Sequence, residues 1–149
     1  MRVVLDTSVL VSFLLTWGRV ISAIMEQWET GRLEVIVSPQ LIGELRRVAD
    51  DERLATRLRP GALEVLLEAL NENTVMVAGE LELPGVTEDP GDDMVVACAV
   101  EGNAAYIITR DQHLLRMGAY RDIVVVSLEE FVRGTERSYR REVTTDDDL

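Results

Sequence analysis

The 149-residue chain contains no lysine; all 15 of its basic residues are arginine. That absence removes a Walker A lysine, a Schiff-base lysine and the Ser–Lys hydrolase arrangement. It also counts against receiver domains and haloacid-dehalogenase-like phosphatases, whose acidic sites usually include a lysine. The single cysteine, Cys98, excludes a disulfide framework and a Cys-rich zinc site, and fits a reducing compartment. The single histidine, His113, leaves no His-based zinc pattern. No run approaches the ~18–20 apolar residues of a membrane span. The N-terminal MRVVLDTSVLVSFLL is split by Asp6 and is not followed by a small-residue cleavage site, so a soluble, cytoplasmic protein without membrane association is expected. Positive charge is in the minority, 15 basic against 27 acidic side chains for a formal net charge of −12. A broad basic surface for nucleic acid is therefore not expected, and any such binding needs a local arginine patch or bound cations.

What remains is an inventory of carboxylates, hydroxyls and arginines on a chain that is 47% hydrophobic, long enough for one domain with a full core. Short Val- and Ile-rich runs at 2–5, 33–37, 74–78, 105–108 and 123–126 alternate with helical patterns. Ser8 reads as an N-cap before VLVSFLL, Ser38-Pro39 as a cap and first helical position, and Ser127 as the cap of a helix through Val132. DDMVVACAV at 92–100 is apolar nearly all round after two aspartates and should be a buried helix. Short continuous strands alternating with helices predict an α/β fold, a parallel sheet of about four to five strands covered on both faces. Residues 1–133 form the domain in this reading, and the polar, charged stretch 134–149 is expected to be a flexible tail, the alternative being that its Arg137, Arg140 and Arg141 contact a partner.

Two of these strands end in an acid, VVL-Asp6 and IIT-Arg110-Asp111. In an open parallel sheet both would stand on the carboxyl rim where ligands collect. Asp92 opens the buried helix, and Glu44 sits at the edge of its helix's apolar stripe, about 60° from Leu41 and about 40° from Val48. Each acid alone has a structural explanation as a cap, turn former or boundary residue. Together they point to a cation, because carboxylates gathered without lysine or histidine repel one another, and hard oxygen donors suit Mg²⁺ or Mn²⁺.

The elements VVLDTSVLVSFL, VSPQLIGEL, EDPGDDMVVACAV and YIITRDQHLL, in that order over residues 2 to 132, resemble the acidic motifs of PIN domains. More narrowly, they resemble the PIN-family toxins of prokaryotic toxin–antitoxin pairs of the VapBC kind. The resemblance implies a three-layer α/β/α domain and a metal-dependent endoribonuclease that hydrolyses RNA phosphodiesters. The implied catalytic acids are Asp6, Glu44, Asp92 and Asp111, with Asp6, Asp92 and Asp111 as direct ligands of Mg²⁺ or Mn²⁺. Asp92 is chosen by its spacing to Ala99, with Asp89 and Asp93 as neighbouring alternatives. Thr7, Ser8, Thr109 and Asp93 would support these acids, Ser8 standing where the family often has Asn. An antitoxin partner and a homodimer are implied by the family alone.

Arg46, Arg47, Arg53, Arg57 and Arg59 follow Glu44 closely, and Arg110 adjoins Asp111. Arg46, Arg47 and Arg110 are the candidates for positioning RNA phosphates, against the alternative of a solvated surface salt-bridged to Asp50, Asp51 and Glu52. Trp17, Trp28 and Met25 read as core or subunit-contact residues. Two rival functions stand beside the nuclease: a metal-dependent phosphatase on a related scaffold, and a catalytically silent interaction module whose acids are caps and loop formers.

Overall fold

The computed structural model describes residues 1–147. Its centre is a sheet in the order β3-β2-β1-β4-β6-β5. Strands β1 (Arg2–Leu5), β2 (Glu34–Val37), β3 (Thr74–Met76), β4 (Tyr106–Thr109) and β6 (Ile123–Ser127) run parallel. The two-residue β5 (Ala119–Tyr120) adds to the β6 edge in antiparallel sense. The parallel strands agree with the four or five expected; β5 is the addition.

Alternation along the strands builds two separate cores. Val3, Leu5, Val35, Val37 and Ile108 face one side. There they meet α1 (Thr7–Leu15), α2 (Arg19–Glu29), α5 (Ala62–Glu72) and the start of α8 (Leu128–Asp147) through Phe13, Trp28, Leu66 and Phe131. Val4, Ile36, Ile107 and Val125 face the other, against α6 (Pro90–Glu101) and α7 (Gln112–Met117) through Val96, Ala99 and Leu114. This is the three-layer α/β/α arrangement. Helix α3 (Pro39–Ala49) serves both cores, with Leu41 in the second and Leu45 and Ala49 in the first. A one-turn helix, α4 (Glu52–Ala55), follows it. At the end of α6, Gly102 lies so close to Ile36 that a Cβ would collide with that side chain.

The chain leaves β1 toward β2 and β3, then returns to place β4 on β1's other side. The two central strands therefore diverge in connectivity at their carboxyl ends, and such a switch point opens a crevice between the loops. Pairing persists to that point, where the Asp6 amide donates to the Ile108 carbonyl at 2.9 Å.

Two local expectations change. Asp6, rather than Ser8, is the N-cap of α1, its carboxylate accepting from the Thr7 amide. The α8 helix runs through Gly134 to Asp147, so the charged stretch begins inside a helix, and residues 148–149 lie outside the described residues. Gln27 donates to the Thr135 hydroxyl at 2.7 Å, which ties the continuing helix to α2. Trp28 and Met25 are core residues, while Trp17 is half exposed beside Phe13. Among the described residues no single helix is long and apolar enough to cross a membrane. The α1–α2 pair has the length and composition but bends by 114°, and its apolar residues fill the first core.

Candidate active site

Four acids from four elements line one cleft of about 490 Å³ at the switch point: Asp6 after β1, Glu44 on α3, Asp92 on α6 and Asp111 after β4. Thr7, Ser8, Arg47 and Asp89 complete much of its wall.

Asp6 is held by a relay that starts at the backbone of the β4 loop. The amides of Arg110 and Asp111 donate to the hydroxyls of Ser8 (3.0 Å) and Thr109 (2.9 Å). Each hydroxyl, its lone pair so engaged, turns its single proton to Asp6 Oδ2 at 2.8 Å. Asp6 Oδ1 accepts from the Thr7 amide at 2.8 Å. A carboxylate offers about four acceptor positions, so roughly one remains, on Oδ1. Asp111 caps α7 by accepting from the His113 amide at 2.8 Å.

The aspartates at 89, 92 and 93 separate by surroundings. Asp93 accepts from the Gly85 amide and from both the amide and hydroxyl of Thr87. Thr87's hydroxyl holds its carboxyl below the ordinary range, and Asp93 lies outside the cleft wall, so its contacts are with its own loop rather than with the four acids. Asp89 is the N-cap of α6 and accepts from the Gly91 amide. Asp92 is only 9% exposed, and its side chain has no hydrogen-bond donor among the described residues. Burial, then the charges of Asp111, Asp6 and Asp89, push it up to about 6. That is the behaviour of a carboxylate lacking a counter-charge.

Glu44 is engaged differently. Arg47 grips it from one turn on, with contacts of 2.6 and 3.0 Å, and the pairing raises the Arg47 guanidinium further above its ordinary value. Arg110 turns its guanidinium away to Ser12 (2.7 Å) and Glu129 (2.8 Å). Arg46 is exposed and is not part of the cleft wall. Arg59 packs over the rings of Phe13 and Trp17 and donates to the Phe13 carbonyl, a structural post.

The donors at the cleft are carboxylate oxygens, which suit Mg²⁺ or Mn²⁺. Among the described residues no three acidic, thiol or imidazole groups are already drawn into a metal cage. The open carboxylates fit an ion that keeps several waters, as Mg²⁺ commonly does. The raised Asp92 fits it as well.

A family model described as PIN domain matches residues 2–113, about three quarters of the chain. The chain belongs to the PIN domain family. PIN domains are typically nucleases that use divalent metal ions, and this one has the architecture that its motifs lead one to expect. The fold is similar to that of a chain in the crystal structure of VapBC2 from Rickettsia felis bound to a DNA fragment from their promoter. The TM-score is 0.58 at 13% identity, over 85% of this chain and 98% of that one. A comparison with curated proteins gives no match.

Sequence reasoning did not find the second cleft of this PIN domain, about 520 Å³, which shares Asp89 and Asp92 and is walled by His113 and Arg116. Position relative to Asp111 was the available signal, since the helix that Asp111 caps carries both side chains past the same rim.

Proposed function

We propose that this PIN domain is a Mg²⁺- or Mn²⁺-dependent endoribonuclease acting in the cytoplasm as the toxin of a toxin–antitoxin pair. The observation that carries the reading is the gathering of Asp6, Glu44, Asp92 and Asp111 in one cleft, with Asp92 pushed up to about 6 by burial and its acidic neighbours. Asp6, Asp92 and Asp111 would hold the cation. When bound, it supplies Lewis-acid polarisation of the phosphodiester and activation of water. Ser8 and Thr109 fix the rotamer of Asp6, leaving its free Oδ1 position toward the cleft. Glu44, steadied by Arg47, would orient water in the same cleft. Hydrolysis joins a water oxygen to phosphorus and breaks one ester P–O bond.

A solved structure with a similar fold is of VapBC2, which supports an antitoxin protein as the partner of this chain. A homodimer is proposed as well; exposed Trp17 and Val65 offer apolar surface for it.

The test is incubation of the purified protein with an RNA pool, with and without EDTA, followed by mapping of the new ends. Wild-type protein should cut internally only when metal is present. Asp6→Asn should lower cleavage by about a thousandfold or more while circular dichroism shows a folded protein. Cleavage undiminished by EDTA or by the substitution overturns the assignment.

A further inference from the structure

The chain is strongly acidic, yet half of the residues that wall one groove are arginine. A groove of about 400 Å³ between the start of α2 and α8 is lined by Arg19, Arg133, Arg137 and Arg140, with Glu129 and Glu136. We infer that this groove binds the sugar-phosphate backbone of a single RNA strand leading to the acidic cleft. The inference rests on the nuclease reading and names the surface that holds its substrate.

Three observations carry it. The first is spacing. Arg133, Arg137 and Arg140 follow one another at i, i+4 and i+7, so they form one stripe with about 5–6 Å between successive positions. All three are exposed at the surface. The second is charge. Both acids of the groove are committed, Glu129 to Arg110 at 2.8 Å and Glu136 to Arg19 at 3.3 Å. Among the described residues Arg133 and Arg137 form no ion pair. The groove thus presents surplus guanidinium on a chain whose formal net charge is −12, and guanidinium matches phosphate oxygens in a fork geometry.

The third is continuity with the cleft. Helix α8 starts at the carboxyl end of β6, beside β4 on the rim where Asp111 stands. Glu129, in the groove wall, grips Arg110, the chain neighbour of Asp111. Arg133 lies five residues into α8, about 8 Å along the helix from its start. A strand laid along the groove would run up α8 toward the rim that carries the cleft, with the Glu129–Arg110 pair between the two. Of the arginines that cluster in sequence after Glu44, Arg47 is held by Glu44 and Arg59 is packed on two aromatic rings, while Arg46, Arg53 and Arg57 are exposed but line neither the cleft nor the groove.

The experiment compares Arg133→Gln/Arg137→Gln with Arg2→Gln/Arg121→Gln, which removes equal charge at the opposite edge of the sheet, where β1 and β6 begin. Binding of a labelled single-stranded RNA is measured on the Asp6→Asn full chain across a salt series, and KM and kcat on the otherwise wild-type chain. The groove variant should bind roughly tenfold more weakly at low salt, with the log K against log[salt] slope reduced by about 1.4. KM should rise while kcat holds. The control pair should leave the affinity and slope of the Asp6→Asn chain in place. Unchanged affinity and slope in the groove variant overturn the inference, as does an equal loss in the control pair. Weakening confined to duplex DNA overturns the assignment to RNA. A wild-type protein that cuts RNA with a KM indifferent to the groove leaves the nuclease reading standing without the groove. RNA binding that depends on the groove in a protein that never cuts RNA does the reverse.

Discussion

Asp6 gives its carboxylate to three donors, the Thr7 amide and the hydroxyls of Ser8 and Thr109. Asp92, similarly buried in the same cleft, has no hydrogen-bond donor among the described residues. The first is an acid that the fold organises and uses, as the cap of α1 and the tie between β1 and β4. The second is an acid that the fold tolerates. Burial and like charges oppose the ionised form of Asp92. One cleft thus holds both treatments of the same functional group, and only Asp92 is left waiting for a positive partner.

The largest test of this contrast is Asp6→Asn, which should remove cleavage by about a thousandfold in a protein that still folds. A smaller effect follows from breaking the relay. Thr109→Val preserves shape at a fully buried position but takes a donor from Asp6 and an acceptor from the Asp111 amide. Thermal unfolding should show a loss of about 1–3 kcal/mol, and turnover should fall roughly 10- to 100-fold. Wild-type turnover in that variant would mean that Asp6 needs no orientation.

Asp92→Asn should move stability the other way. The folded protein binds the Asp92 proton more tightly than the unfolded chain does, since its value rises from 3.8 to about 6. The metal-free wild type therefore holds this contribution in full below about 3.8 and loses it as pH rises through about 6. Asn abolishes the loss, so melts at pH 7 without metal should show the variant more stable by about 3 kcal/mol, although inactive. A parallel pH dependence in both proteins would contradict the role given to Asp92. The smallest effect belongs to Arg110→Gln. Its ion pair with Glu129 is well exposed, and its link to Asp6 runs through the backbone amide, so stability should change by less than about 1 kcal/mol.

Much of this was legible from residues alone. Strands β1, β2, β4 and β6 are continuous aliphatic runs, and an acid at the end of two neighbouring parallel strands places both on the rim. Less local features were not legible. Strand β5 forms because the turn at Gly118, with φ of 73°, brings Ala119 and Tyr120 back onto the sheet edge. The continuation of α8 reads as a polar tail until Gln27 and Arg19 of α2 are placed beside Thr135 and Glu136. The different surroundings of Asp89, Asp92 and Asp93 depend on which loop amides reach which carboxylate, and spacing does not encode that. The alignment of Arg133 with Arg137 and Arg140 was not legible for the same reason, because their stripe exists only once α8 is a helix beside the rim.

The double duty of Asp6 bears on how relatives of this chain should be judged. An acid that caps α1 and joins β1 to β4 is worth keeping in a descendant that has ceased to catalyse anything. Asp111, which caps α7, would persist on the same ground. Asp92 has no such shelter, since the fold is better off without its charge. Among divergent members of this lineage, the acid at the third residue of α6 is therefore the informative marker of retained activity, and the aspartate that follows β1 is a poor one.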